Sequence, residues 1–232
     1  MDNFSMNQFE QSLSQRVSLV MKRVYFKMFL ALLVTAFVSM WAAGSELFIS
    51  FILQNPSTMW VLLLLEVGLV IAISGAINRL SSMAATGLFF LFAIVNGLAL
   101  APIFLIYTMT SIAKTFFITA GTFGAMSIYG YFTEKDLSKF GSMLYMALFG
   151  LIICSVVNIF TKSDTLGWLI SIAGVLIFIG LTAWDTQKIK QMASMASNGT
   201  EGKLATMGAL SLYLDFINLF LYLLRFFGAS RD

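Results

Sequence analysis

A chain of 232 residues that is 59% hydrophobic, 15% aromatic and only 11% charged lies outside the range of soluble domains, where about a quarter of residues carry charge. It reads as an integral membrane protein. The absence of histidine removes the usual near-neutral titrating side chain and the commonest metal ligand. The single cysteine allows no intrachain disulfide, and a net charge of +3 scattered over short loops is no nucleic-acid footprint.

The chain begins with Met6, Phe9, Leu13, Val17 and Val20 at three- and four-residue intervals, while Asp2, Glu10 and Arg16 fall elsewhere. That spacing predicts an amphipathic helix lying on the inner leaflet, a cytoplasmic arm over residues 1–22. A transmembrane domain over 23–232 follows. Apolar runs at 24–44, 58–77, 83–107, 113–132, 141–160, 166–187 and 204–227 each approach the roughly 20 residues that a helical crossing needs. They are continuous rather than alternating, and backbone polar groups in lipid must be satisfied within the segment, so helices rather than barrel strands are expected. The fold class is therefore all-α, a polytopic protein of seven transmembrane helices. The first run is too long for the core of a cleaved leader, and six more follow it. Pro102 should kink the third span, where Ala93, Gly97 and Ala101 form a small-residue face for close helix approach. Cys154 reads as core filler in the fifth span, and "SMASNGTEGK" as a polar turn between the sixth and seventh.

With the N-terminus cytoplasmic, the inner segments hold Arg16, Lys22, Arg23, Lys27, Arg79, Lys135, Lys139, Lys188, Lys190 and Lys203, leaving Lys114, Lys162, Arg225 and Arg231 outside. This bias favours an inside N-terminus and, after seven crossings, an outside C-terminus. Arg225 and Arg231 then lie on the disfavoured side, and a re-entrant last segment is the alternative.

Three acids are hard to place in loops: Glu66 in the second span, Asp185 near the end of the sixth and Asp215 well inside the seventh. An ionisable residue at such depth is a functional candidate. Asp185 and Asp215 are equidistant from residue 200, and positions equidistant from a hairpin tip tend to be level. Antiparallel helices about 8 to 10 Å apart can then bring two inward side chains together. Counting along each run gives different depths, Asp185 roughly 28 Å from the outer end of its run and Asp215 roughly 17 Å from the inner end of its own, which leaves them about 15 Å apart in depth if the hydrocarbon layer is about 30 Å thick. Helix tilt or a projecting sixth span would reconcile the two counts. If the acids meet, both cannot ionise cheaply in a low-dielectric site, so they share a proton and sense pH without histidine. Loss of that proton either drives the helices apart or recruits a cation, and hard carboxylate oxygens favour Ca²⁺, held transiently by Asp185 and Asp215. Arg79, at the inner end of the second span, is a candidate charge partner for the pair and equally an ordinary positive-inside anchor.

The segment "GLTAWDTQKIK" resembles the signature closing the sixth span in the Bax-inhibitor family, and "ALSLYLDFINLFLYLLRFFG" is similar to that family's seventh span. The resemblance implies a bacterial member with a central last helix wrapped by the other six, and with Asp185 and Asp215 as an aspartyl dyad gating a proton-sensitive calcium leak. By the same carry-over Arg79 would pair with the dyad, and Glu66 resembles a second-span glutamate of relatives. Ca²⁺ is then a permeant ion rather than a cofactor, and the partners are membrane lipid, Ca²⁺ and protons. Some bacterial relatives lack the dyad and act on a membrane protease, so a regulatory interaction protein is the alternative, its acids serving only to join helices. Size and short tails point to a bacterial inner membrane.

An intramembrane aspartyl protease would also need two aspartates, one as base and one as acid. Such families carry Gly-x-Gly-Asp and Pro-Ala-Leu segments, whereas Asp215 follows "LYL" and the proline-led tripeptides are "PST" and "PIF". Without P-loop, serine–histidine or zinc spacing, the chain does not read as an enzyme.

Overall fold

The computed structural model describes residues 3–197 and 199–229, the side chains of residues 3–10 excepted. Among these, the regular elements are nine helices: α1 (Asn3–Ala43), α2 (Glu46–Gln54), α3 (Ser57–Ala76), α4 (Ser82–Leu100), α5 (Ile103–Ile106), α6 (Met109–Phe132), α7 (Ser138–Thr161), α8 (Asp164–Met195) and α9 (Glu201–Phe227). Hydroxyl side chains open three of them: Ser45 accepts from the Phe48 amide, Ser81 from Ala84 and Thr108 from Ser111, each satisfying an amide left free in a first helical turn.

Six segments are long and apolar enough to cross a membrane, where the sequence predicted seven: Gln11–Ala43, Ser57–Ala76, Ser82–Ile106, Ser138–Thr161, Asp164–Met195 and Glu201–Phe227. The predicted fourth span is α6, a helix of 24 residues but too rich in threonine, serine and glycine to join them. Its buried residues are Thr115, Thr119, Phe123, Ser127 and Gly130, one stripe at helical spacing. Small and polar groups are turned inward there, a pattern suited to helix contact that lowers the apolarity of the whole segment. Pro102 breaks the predicted third span as expected, since α4 stops at Leu100 and α5 starts at Ile103. The nine-residue α2 had no counterpart among the predicted runs. It is about half the length a crossing needs.

Backbone contacts divide the chain into two compact units, one running to Ile106 and including Ile189–Leu210, the other containing Tyr107–Lys188 and the segment from Ser211. In the first unit, α1 is a single unbroken helix, with no glycine or proline before Gly44 to turn it. The predicted arm therefore does not lie apart from the first span. Val17 and Val20 are buried in the protein, and Arg16 donates to the Ala196 carbonyl at 2.7 Å. The side chains of Met6 and Phe9 lie outside the described residues, as does Arg231. Ala93 and Gly97 on α4 and Ala101 at its C-terminal cap are buried, as the small-residue spacing predicts. A Cβ on Gly97 would stand 2.8 Å from both the Thr35 carbonyl oxygen and the Val38 Cβ, while the Thr35 hydroxyl donates to the Ala93 carbonyl at 2.9 Å. Lys27 joins three helices: its ammonium donates to the hydroxyls of Thr86 (2.9 Å) and Thr206 (2.7 Å) and to the Gly202 carbonyl (3.3 Å). Three acceptors match the three donors of the group, so the ammonium is satisfied without a carboxylate.

The second unit is built from α6, α7 and the parts of α8 and α9 nearest the candidate acids. Its apolar core joins Leu144 and Leu151 of α7, Ile177, Phe178 and Leu181 of α8, and Leu219 and Leu223 of α9. Gly130 brings α6 against the α8 backbone at Ala183. Cys154, expected inside the core, is exposed on α7, because the buried stripe of that helix runs through Gly141, Leu144 and Leu151.

Candidate functional site

Three helices of the second unit enclose a cavity of about 300 Å³. Helix α7 contributes Tyr145, Leu148 and Ile152, and α8 contributes Phe178, Leu181 and Asp185. Each set is spaced by three and four residues, as one helical face requires. Helix α9 supplies Ser211, Leu214, Asp215, Asn218 and Tyr222. The two aspartates thus line one cavity, and their exposures are only 4% for Asp185 and 5% for Asp215. Groups that bury a charge so deeply need partners, and the two acids differ in what they find.

The Ser211 hydroxyl donates to the Asp185 carboxylate, and the ammonium of Lys188, one turn along α8, acts on it electrostatically. That ammonium lies 4.6 Å from the centre of the Trp184 ring, a cation–π contact that holds it in place. For Asp215, Oδ2 is buried with no hydrogen-bond partner, and the charge within reach is that of Asp185. Around the pair, Tyr145 meets Trp184 edge-on at 5.2 Å, Phe178 stacks on Tyr222 at 5.9 Å, and Tyr222 shares a hydrogen bond with Ser155. Asn218 commits its amide group to the Leu214 carbonyl at 2.8 Å, which keeps its side-chain oxygen as an acceptor.

The Asp-Thr-Gln triplet divides its work. Asp185 turns to the cavity, whereas the Thr186 hydroxyl folds back on the Thr182 carbonyl at 2.8 Å. Gln187 anchors the loop between α6 and α7, donating to the Lys135 carbonyl (2.8 Å) and accepting from the Leu137 amide (2.9 Å). In that loop Asp136 accepts from the Ser138 amide at 2.9 Å, and its bonds to Ser138 hold the carboxyl below the usual carboxylate range. Replacing Gln187 by alanine removes both loop anchors and leaves the part-buried Leu137 amide and Lys135 carbonyl without them. Thermal unfolding in detergent should report a loss of about 2 kcal/mol, and hydrogen exchange should speed up at Leu137.

The hairpin count needs a correction. Helix α8 ends at Met195 and α9 begins at Glu201, so level positions on the two helices pair about a midpoint two residues earlier than the sequence count took. Asp185 stands ten residues before the end of α8, and the residue ten after the start of α9 is Ser211, its observed hydrogen-bond partner. Asp215 lies one turn further along α9 and reaches the same cavity from there. Helix α8 has 32 residues, roughly 48 Å, and continues past the end of its apolar run to Met195, the projecting sixth span that one of the two counts required.

The other two candidates belong to the first unit. Glu66 is half-buried on α3 and accepts from the Asn96 side chain at 3.0 Å. Arg79 is exposed in the turn after α3. Sequence reasoning overlooked Ser211, Asn218, Tyr222 and Tyr145. The first three recur with Asp215 at intervals of four, three and four within an apolar span, a polar stripe visible in "SLYLDFINLFLY". Tyr145 carries no comparable signal.

Residues 17–232 match the family described as Inhibitor of apoptosis-promoting Bax1. The chain belongs to this Bax inhibitor family. It is 47% identical over 214 residues to the Inner membrane protein YbhL of Escherichia coli (strain K12), covering 91% of this chain and 92% of that one. An uncharacterized protein of Borreliella burgdorferi is 48% identical over 212 residues, 90% of this chain and 91% of its own. One from Rickettsia prowazekii is 45% identical over 213 residues, with 91% and 90% covered. The region matched by the Bax inhibitor family includes every residue of the cavity. With its six long apolar helices, this family member is a multi-pass membrane protein.

Proposed function

We propose that this Bax inhibitor family member is a pH-sensitive calcium leak of a bacterial inner membrane, gated by Asp185 and Asp215. The observation that carries the reading is the cavity that both acids line, in which Asp215 Oδ2 is buried and unpartnered. A proton shared between the carboxylates would satisfy that atom and cancel one of two like charges. Its departure leaves two anions that either separate α8 from α9 or take up a cation, for which carboxylate, hydroxyl and amide oxygens are suitable Ca²⁺ ligands. In this reading α6 is the seventh crossing, the N-terminus is cytoplasmic and the C-terminus is outside, and α9 is the central helix. The 67% burial of the apolar window of α9, against 11% for α3 and α7, supports that last placement. An inner-membrane location rests on the name of the Escherichia coli relative.

Proteoliposomes loaded with a calcium indicator test the proposal. Vesicles containing the protein should pass calcium faster than empty ones, at a rate that changes with pH. If they hold calcium as tightly as empty vesicles at every pH, the leak is wrong and a regulator of a membrane protease becomes the better reading.

A further inference from the structure

A second recess, of about 440 Å³, lies in the first unit, bordered by the turn after α3, the end of α8 and the first two turns of α9. Ile77, Met192, Ala196, Leu204 and Met207 give it an apolar lining, which Asn78, Thr200 and Lys203 interrupt with polar groups. Lys203 supplies the charge in that lining. There Lys203 donates to the Asn78 carbonyl at 3.2 Å, which uses one of its three N–H donors, and Arg79 is exposed beside Asn78 in the same turn. Among the described residues neither cation has an acidic side chain within ion-pair distance. The nearby acid Glu201 faces Arg23 instead, at 3.8 Å.

An apolar slot opening on unneutralised cations, at the ends of helices that cross a bilayer, has the chemistry of an anionic amphiphile site. Basic pockets between transmembrane helices take anionic headgroups in this manner. The two methionines suit a flexible hydrocarbon chain, since unbranched thioether side chains adapt to irregular shapes. We propose that this recess binds one anionic phospholipid, with an acyl chain along Met192, Leu204 and Met207 and the phosphate at Lys203 and Arg79. A zwitterionic lipid would bring its own ammonium to the same cations and lose most of the attraction. The assignment does not depend on the calcium leak.

Native mass spectrometry of the full chain, delipidated in detergent and titrated with phosphatidylglycerol or with phosphatidylcholine of the same acyl chains, tests it. One phosphatidylglycerol should be retained about tenfold more tightly than phosphatidylcholine, each nearby cation contributing roughly fivefold or less. Lys203→Gln, at a half-exposed side chain, should weaken phosphatidylglycerol binding about fivefold, and Lys203→Arg should retain it. Met207→Trp fills the slot and should weaken both lipids. Equal affinity of the unaltered protein for the two lipids would overturn the proposal whatever the variants do. So would phosphatidylglycerol binding that survives Lys203→Gln unchanged, or full displacement by inorganic phosphate alone, which would mark a site for free anions.

Discussion

For the proposed calcium leak, Asp215→Asn should abolish the pH dependence of flux and leave the protein folded. Asparagine has nearly the shape of aspartate but no charge at any pH, so no proton remains to be shared. The Asp215 oxygen that lacks a hydrogen-bond partner loses no existing bond, and an amide in its place can donate to Asp185. Replacing a buried, incompletely paired carboxylate by a neutral amide is neutral or stabilising, so the unfolding midpoint in detergent should hold or rise. This separates gating from folding: a flat flux–pH profile in a stable protein is the expected result. Asp185→Asn should flatten the profile too, with its side-chain oxygen still accepting from Ser211. A parent-like profile in either variant would remove the dyad from the mechanism.

Gly130→Ala is the most damaging single change of one carbon expected in the second unit. A Cβ there would collide with the Ala183 carbonyl oxygen and stand 2.8 Å from its carbon and 2.9 Å from the Ala183 Cα. These are backbone atoms in the middle of a helix and have no rotamer to escape into, so α6 and α8 must move apart. Overpacking of this kind costs about 3 kcal/mol, and it falls two residues from Asp185. The unfolding midpoint should drop steeply, and flux should lose its pH dependence with it. Gly150→Ala on α7 is the control. Nothing lies within 4 Å of its added Cβ, so the change should be neutral or stabilise the helix by up to about 1 kcal/mol. Equal midpoints for the two variants would show that α6 and α8 do not depend on this approach.

What could be read from the sequence follows the strength of the hydrophobic signal. Runs near 20 residues located α3, α7 and α9 to within a few residues at most ends, and Pro102 marked a real break, because both rest on properties local to the segment. Helix α2 was invisible since a nine-residue helix between two spans has no length signature. The tail of α8 was lost for the opposite reason: lysine, glutamine and serine end its continuous apolar run after residue 187, while the helix goes on to Met195. That omission moved the hairpin tip by two residues, enough to set Asp185 opposite Asp215 rather than Ser211. The acids themselves were legible because a charge in an apolar span is conspicuous. Their neighbours Ser211 and Asn218 were not, since serine and asparagine are ordinary in such helices until a shared face is counted. Tyr145 could be assigned only once α7 and α9 had been placed in space.

The polar face of α9 also bears on biogenesis. An aspartate at the centre of a lone inserting helix is opposed by about 3 kcal/mol, and each leucine or phenylalanine returns only about half a kcal/mol. As the ribosome delivers the chain, α9 reaches the translocon after α7 and α8, whose inner faces supply the sheltered surface its carboxylate needs. The order of synthesis thus presents the acid-bearing helix to partners already in the bilayer, rather than to bare lipid.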